Sequence, residues 1–117
     1  PQAESKRLVQ HGYVKQGIAF RLFPPQTAGT TAFHRWYSPR NNDHYYHHER
    51  EGGGKKLDGY IYEGVIGNIA TSRLTNTREL YRWFNPSTNK HYYSTETGGA
   101  ASPRKGYRFE GIAGYVR

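Results

Sequence analysis

Three polar residue types recur at one fixed spacing in this chain. Arg35 and Arg82, His44 and His91, and Glu63 and Glu110 each stand 47 residues apart. A guanidinium, an imidazole and a carboxylate within reach of one another can hold a hydroxyl-rich or charged ligand, or move a proton. The recurrence itself argues for a structural use, an internal Arg–Glu pair with a histidine bonded to backbone. A residue needed to build a unit must recur in every unit.

Aromatic residues repeat beside them: Trp36 and Trp83, Tyr45-Tyr46 and Tyr92-Tyr93. Neighbours on a strand point to opposite faces. One tyrosine of each pair is therefore expected in the core and the other outside. An outward ring beside Asn, Asp or His makes a sugar platform, with the apolar face of a pyranose on the ring and the polar groups on its hydroxyls. The same rings would stack nucleobases. The expected ligand contacts are Trp36, Asn42, Asp43, His44 and Tyr46 in one unit, and Trp83, Asn89, His91 and Tyr93 in the next. For both tryptophans the core is the competing location.

His44, His47, His48 and Glu49 are the densest set of metal-ligating types. On a strand His44 and His48 share a face and His47 opposes them. Two imidazoles are too few for a tetrahedral site, and Ser94 and Thr95 stand where a second copy of His47 and His48 would be. No metal and no cofactor are expected. An alternative catalytic stretch is His48-Glu49-Arg50, which with Lys55 and Lys56 has the residue types of a basic ribonuclease or RNA-directed toxin. Nothing in its spacing is peculiar to catalysis. Gly52-Gly53-Gly54 lacks the rest of a phosphate-binding loop, and there is no serine nucleophile elbow. The two recurrent acids sit in repeated motifs, which disfavours a paired-carboxylate glycosidase. A non-enzymatic protein is the leading expectation.

The elements that must position these residues follow from the repeat. The offset that relates Trp36 to Trp83 aligns residues 33–39 with 80–86, 44–46 with 91–93 and 59–67 with 106–114, without a gap. A third copy of the last segment occupies residues 12–20. The chain thus reads as about two and a half 47-residue repeats: a partial unit over 1–32 and full units over 33–79 and 80–117. The first unit lacks the half with the Arg-Trp and His-Tyr-Tyr elements, through processing, through the choice of chain ends, or because the fold closes with an incomplete unit.

Each full unit predicts a strand, a turn containing proline and asparagine, a second strand, and a variable connector. A last strand follows, and its internal glycine suggests a bend or bulge. Residues 3–10 have room for a turn or two of helix. The expectation is an all-β single domain over 1–117, a pseudo-threefold closed arrangement like a β-trefoil, with a small β-sandwich as the alternative.

Composition agrees with a folded domain. Only 34% of residues are hydrophobic, yet 15% are aromatic and 11 are tyrosines, which can fill a core while their hydroxyls reach polar partners. No apolar run approaches the length of a membrane helix, and no signal peptide is visible at the start. The chain has no cysteine, which excludes disulfides, thiol catalysis and thiolate zinc sites. The net charge of +8 makes acidic polymers or RNA plausible partners, with solubility as the plainer explanation.

Taken together, Leu80-Tyr81-Arg82-Trp83-Phe84-Asn85-Pro86, then His91-Tyr92-Tyr93-Ser94-Thr95, then Gly106-Tyr107-Arg108-Phe109-Glu110-Gly111-Ile112-Ala113-Gly114-Tyr115 resembles a tyrosine-rich repeat family of unknown function. That family occurs in secreted bacterial and fungal proteins, often beside cell-wall or polysaccharide-degrading domains. The resemblance covers nearly the whole chain. It implies an extracellular accessory module that binds glycans or cell-wall polysaccharide. The chain departs from the family pattern at Asn42-Asp43 and Asn89-Lys90, where Gly-Asp is usual before the histidine. It also departs at Asn68, which replaces the tyrosine seen at Tyr115, and at Gln16, which replaces the glutamate of Glu63 and Glu110. The leading functional expectation is a lectin-like module with a weak site in each unit, acting together, with a basic secreted ribonuclease or RNA-directed toxin and a structural or inhibitor-like β scaffold as the alternatives.

Overall fold

The computed structural model describes residues 13–16, 18–95 and 104–117. The helical turns considered for residues 3–10, and most of the 98–105 loop, lie outside them. The described residues form eight strands: β1 (Tyr13–Gln16), β2 (Ile18–Arg21), β3 (Thr30–Ser38), β4 (Asp43–His47), β5 (Ile61–Ala70), β6 (Arg78–Asn85), β7 (Lys90–Ser94) and β8 (Arg108–Val116). The all-β expectation holds.

Six of these strands make one antiparallel sheet in the order β4-β3-β5-β8-β6-β7. It is two copies of a three-stranded unit joined where Ala70 of β5 meets Tyr115 of β8. Local sequence explains each copy. The β3–β4 and β6–β7 hairpins close through turns that end on Asn42 and Asn89, both at positive φ (50° and 58°). Asparagine tolerates that left-handed position better than other side-chain-bearing residues.

The last strand of each unit is bulged twice. Trp36 pairs with Tyr62 but Arg35 pairs with Gly64, so Glu63 is an extra residue; the second unit repeats this with Trp83–Phe109, Arg82–Gly111 and Glu110. The second bulge falls at Ile66 and at Ala113, which are both buried. Gly64 and Gly111 adopt φ values of 100° and 123°, a conformation glycine alone takes readily.

A threefold trefoil is not shown. Residues 12–20 repeat the β5 and β8 sequence, but β1 and β2 within that stretch pair with each other in a separate two-stranded sheet. No strand like β3 or β6 lies beside them among the described residues, so the pairing available to β5 and β8 is missing. The chain beyond β2 rejoins the sheet through a bridge between Phe23 and Asn68.

The sheet curls into a half-barrel that brings its two end strands, β4 and β7, together. Its concave face buries Phe33, Tyr46, Ile69, Leu80, Tyr93 and Val116, with Phe20 and Leu22 packed on them. Free strand edges expose backbone groups that must be satisfied or covered. Here one side chain serves the β4 edge. The Tyr46 N–H donates to the Tyr93 hydroxyl at 2.8 Å, and that hydroxyl donates to the Tyr46 carbonyl at 3.2 Å. Asp43 serves the β7 edge, where its Oδ1 accepts the His91 N–H at 2.5 Å.

The curl also corrects the reading of the tyrosine pairs. Tyr45, Tyr46, Tyr92 and Tyr93 are all buried. Tyr46 and Tyr93 lie in the concave core. The other face is covered by connectors: the Tyr45 hydroxyl donates to the Gly52 carbonyl at 2.8 Å, while Tyr107 and Arg104 pack on Tyr92.

Tyr93→Phe should therefore lower the free energy of unfolding by about 1–3 kcal/mol, the cost of leaving a buried backbone group unpaired. Urea denaturation checks this. A loss near zero would show that the hydroxyl is not what closes the β4 edge.

Candidate functional site

The repeated arginine, histidine and glutamate converge in both units, at the end of the concave face away from the apolar core. Alternation places Arg35 and Tyr37 on one side of β3, and the bulge turns Glu63 toward them. In the first full unit Arg35 Nε lies 2.8 Å from Glu63 Oε1, and His44 Nε2 lies 3.7 Å from the same oxygen. The three side chains are 27–33% exposed. The Tyr37 ring packs on His44 at 4.8 Å, and its hydroxyl donates to Asn42 Oδ1 at 3.0 Å. Ile61, opposite Tyr37, is exposed. The result is an open rim of one ring, one amide, one imidazole and an ion pair.

The second unit holds the equivalent groups in a closed state. His91 Nδ1 lies 2.7 Å from Asp43 Oδ2, which also accepts the Tyr60 hydroxyl at 2.7 Å. The other ring nitrogen, His91 Nε2, lies 3.5 Å from Glu110 Oε1. Arg82 turns to the seam, with Nε 3.3 Å from the Tyr93 hydroxyl and an Nη 3.4 Å from the Tyr46 carbonyl. The Lys55 amine sits 5.1 Å from the Phe84 ring, which packs on His91. The His91 side chain has no exposed surface. Asp43 reaches across to His91, whereas the residue at its equivalent position in the second unit is Lys90.

Of the residues expected to touch ligand, His44 is half-buried, and Asn42 and Asn89 are exposed. Asp43, Tyr46, Trp36, Trp83, Tyr93 and His91 are buried. Both tryptophans are core residues and present no platform. The ring that is reachable beside Asn42 and His44 is Tyr37. Its signal was its alternation with Arg35, masked in sequence by the more conspicuous tryptophan between them. His48, Glu49 and Arg50 follow β4, with His48 half-buried and the other two exposed. His48 does not share a face with His44; it stacks on His47 at 4.7 Å.

Equivalent histidines titrate in opposite directions. Burial lowers the pKa of His44 below the ordinary histidine value, and the nearby Glu63 charge offsets this only in part. Burial would lower His91 too. Its hydrogen bond to Asp43, its approach to Glu110 and the Asp43 charge outweigh burial and hold it above the ordinary value. Burial would raise Glu110, but the His91 bond and the charges of His91, Lys55 and Arg82 bring it below the usual carboxylate value.

A curled antiparallel sheet of two bulged three-stranded units, with a polar cluster in each, defines a small all-β repeat domain. The chain belongs to the family described as a domain of unknown function, DUF5648, which it matches over residues 1–117. Comparison with curated proteins and with solved structures finds no match. No helix among the described residues is long and apolar enough to cross a membrane.

The His91–Glu110 pair gives a signed pH dependence. The raised His91 contributes stability in full below about pH 6.5, lost as pH rises through its folded value. The lowered Glu110 contributes above about pH 4.3, lost as pH falls through its folded value. The stability gap between the natural chain and Glu110→Gln should be widest between those limits and shrink toward pH 9. Chemical denaturation across pH measures it. A gap that stays constant from pH 5 to pH 9 would contradict the ion pair.

Proposed function

We propose that this domain is a carbohydrate-binding module, acting outside the cell on glycans or cell-wall polysaccharide, with its site at the open rim of the first full unit. The observation that carries the reading is the arrangement of Tyr37, Asn42, His44, Arg35 and Glu63. A half-exposed ring lies beside an amide, an imidazole and a paired carboxylate, the group types that accept a pyranose face and its hydroxyls. The groups are already held by one another, so little ordering accompanies binding.

The equivalent cluster in the second unit is sealed by Asp43 and Lys55. The module therefore works through one site, not through matched sites in each unit. This differs from the multivalent arrangement that repetition alone suggests. The single rim predicts weak binding for an isolated domain, strengthened when other domains or several copies engage the same polymer.

Glu63 is ion-paired to Arg35, and the His44 ring packs against Tyr37, so each group already has a positioning partner. A binding role makes fuller use of these groups than a catalytic one does.

A glycan array, run at low and physiological salt, tests the reading. A neutral-sugar signal that survives salt is expected. Tyr37→Ala and Glu63→Gln should each weaken it about tenfold or more, the worth of one charge-assisted or well-placed contact. Asn89→Ala, at the sealed unit, should not. A blank array, or equal loss from Asn89→Ala, would overturn the proposal.

A further inference from the structure

We propose that the convex face of the first full unit carries a second site, for a phosphate or sulfate ester group, formed by His34, His48 and Arg50 around Tyr62. This site lies on the opposite side of the sheet from the sugar rim and does not depend on that reading.

His34 of β3 and His47 of β4 are direct partners in the strand register. His48 stacks on His47 at 4.7 Å. His34 Nδ1 lies 2.8 Å from the Tyr62 hydroxyl, which leaves Nε2 for a ligand. The Arg50 guanidinium lies 3.5 Å over the Tyr62 ring. The Glu49 N–H donates to His47 Nδ1 at 3.0 Å, and the Gly53 backbone crosses so close to His47 that a Cβ there would clash with Nε2. His47 is thus a buttress, and His34, His48 and Arg50 are the groups left to meet a ligand.

The fold does not need this cluster. At the equivalent positions the second unit has Tyr81, Ser94, Thr95, Thr97 and Phe109. It builds the same register and the same bulges with a Tyr81–Phe109 ring contact instead. Three imidazoles and a guanidinium have therefore been placed where the scaffold runs without them.

Their proximity is unfavourable in the absence of an anion. Burial, with the charges of Arg50 and His48, holds His34 below the ordinary histidine value, and the Glu51 carboxylate offsets this only in part. Burial pushes His47 down to about 4, and Arg82, His48 and His34 add to it. Among the described residues no carboxylate pairs with Arg50. A bound anion would relieve this repulsion and favour the protonated rings. Donors from three side chains outnumber the two oxygens of a carboxylate but suit a tetrahedral oxyanion, with the planar guanidinium spanning two of its oxygens.

The test follows the imidazole signals of the whole chain by NMR, with inorganic phosphate, inorganic sulfate, glucose 6-phosphate and glucose 6-sulfate as probes and acetate as the carboxylate control. The His34 and His48 signals should move and saturate with phosphate or sulfate, and not with acetate. The two sugar esters identify which ester is preferred, and a preference for either supports the site. Arg50→Ala, at an exposed position, should weaken binding about tenfold, as expected for one charge-assisted contact. Arg78→Ala removes the same charge from the start of β6 and should leave binding unchanged. Non-saturating shifts, an equal response to acetate, or equal weakening by Arg78→Ala would overturn the proposal and leave only bulk charge.

Discussion

The structure depends on how the two ends of its sheet are tied. β4 and β7 meet without a backbone ladder, and side chains replace the ladder. The Tyr93 hydroxyl takes both the N–H and the carbonyl of Tyr46, and Asp43 takes the N–H and ring of His91. Buried backbone groups without partners are costly, and exposed edges invite pairing with other chains. Two side chains settle both problems at this seam. The curl they hold defines the concave core, draws Arg82 toward β4 and seals one end of the second unit.

The seam also gives one repeated motif two chemical characters. Arg35, His44 and Glu63 stand in the same registers as Arg82, His91 and Glu110. Where Asp43 reaches in, histidine is buried and shifted toward its protonated form, and arginine is recruited to support the edge. Where no such acid arrives, the cluster stays half-open and its histidine is shifted the other way. The convex face shows the same division: histidines and arginine in one unit, apolar rings in the other. On that face the positions that recur build the scaffold, and those that differ between units are available for ligands.

Much of the scaffold was legible in sequence because it is set by local spacing. The offset between Trp36 and Trp83, the asparagine-closed turns and the glycine-marked bulges all follow from residues near one another in the chain. The Arg35–Glu63 pair was legible from recurrence, but its counterpart was not formed, because Arg82 turns to the seam. What was not legible depends on curvature and distant pairing. Alternation alone sends one tyrosine of each pair outward, but the curl and the Gly52 connector bury Tyr45 as well as Tyr46. The third copy of the β5 motif suggested a trefoil, yet copies become equivalent strands only where equivalent partners lie beside them. Tyr37 emerged as the reachable ring only once both tryptophans were placed in the core. Asp43 changed most, from a turn residue facing ligand to a buried tie between units.

The most direct test of this account is an NMR titration of the individual histidine rings. The account predicts that His91 titrates above the ordinary value of about 6.5 and His44 below it, although the two occupy equivalent positions in the repeat. Titration of both rings together, or in the reverse order, would contradict the claim that the Asp43 seam makes one cluster closed and the other open.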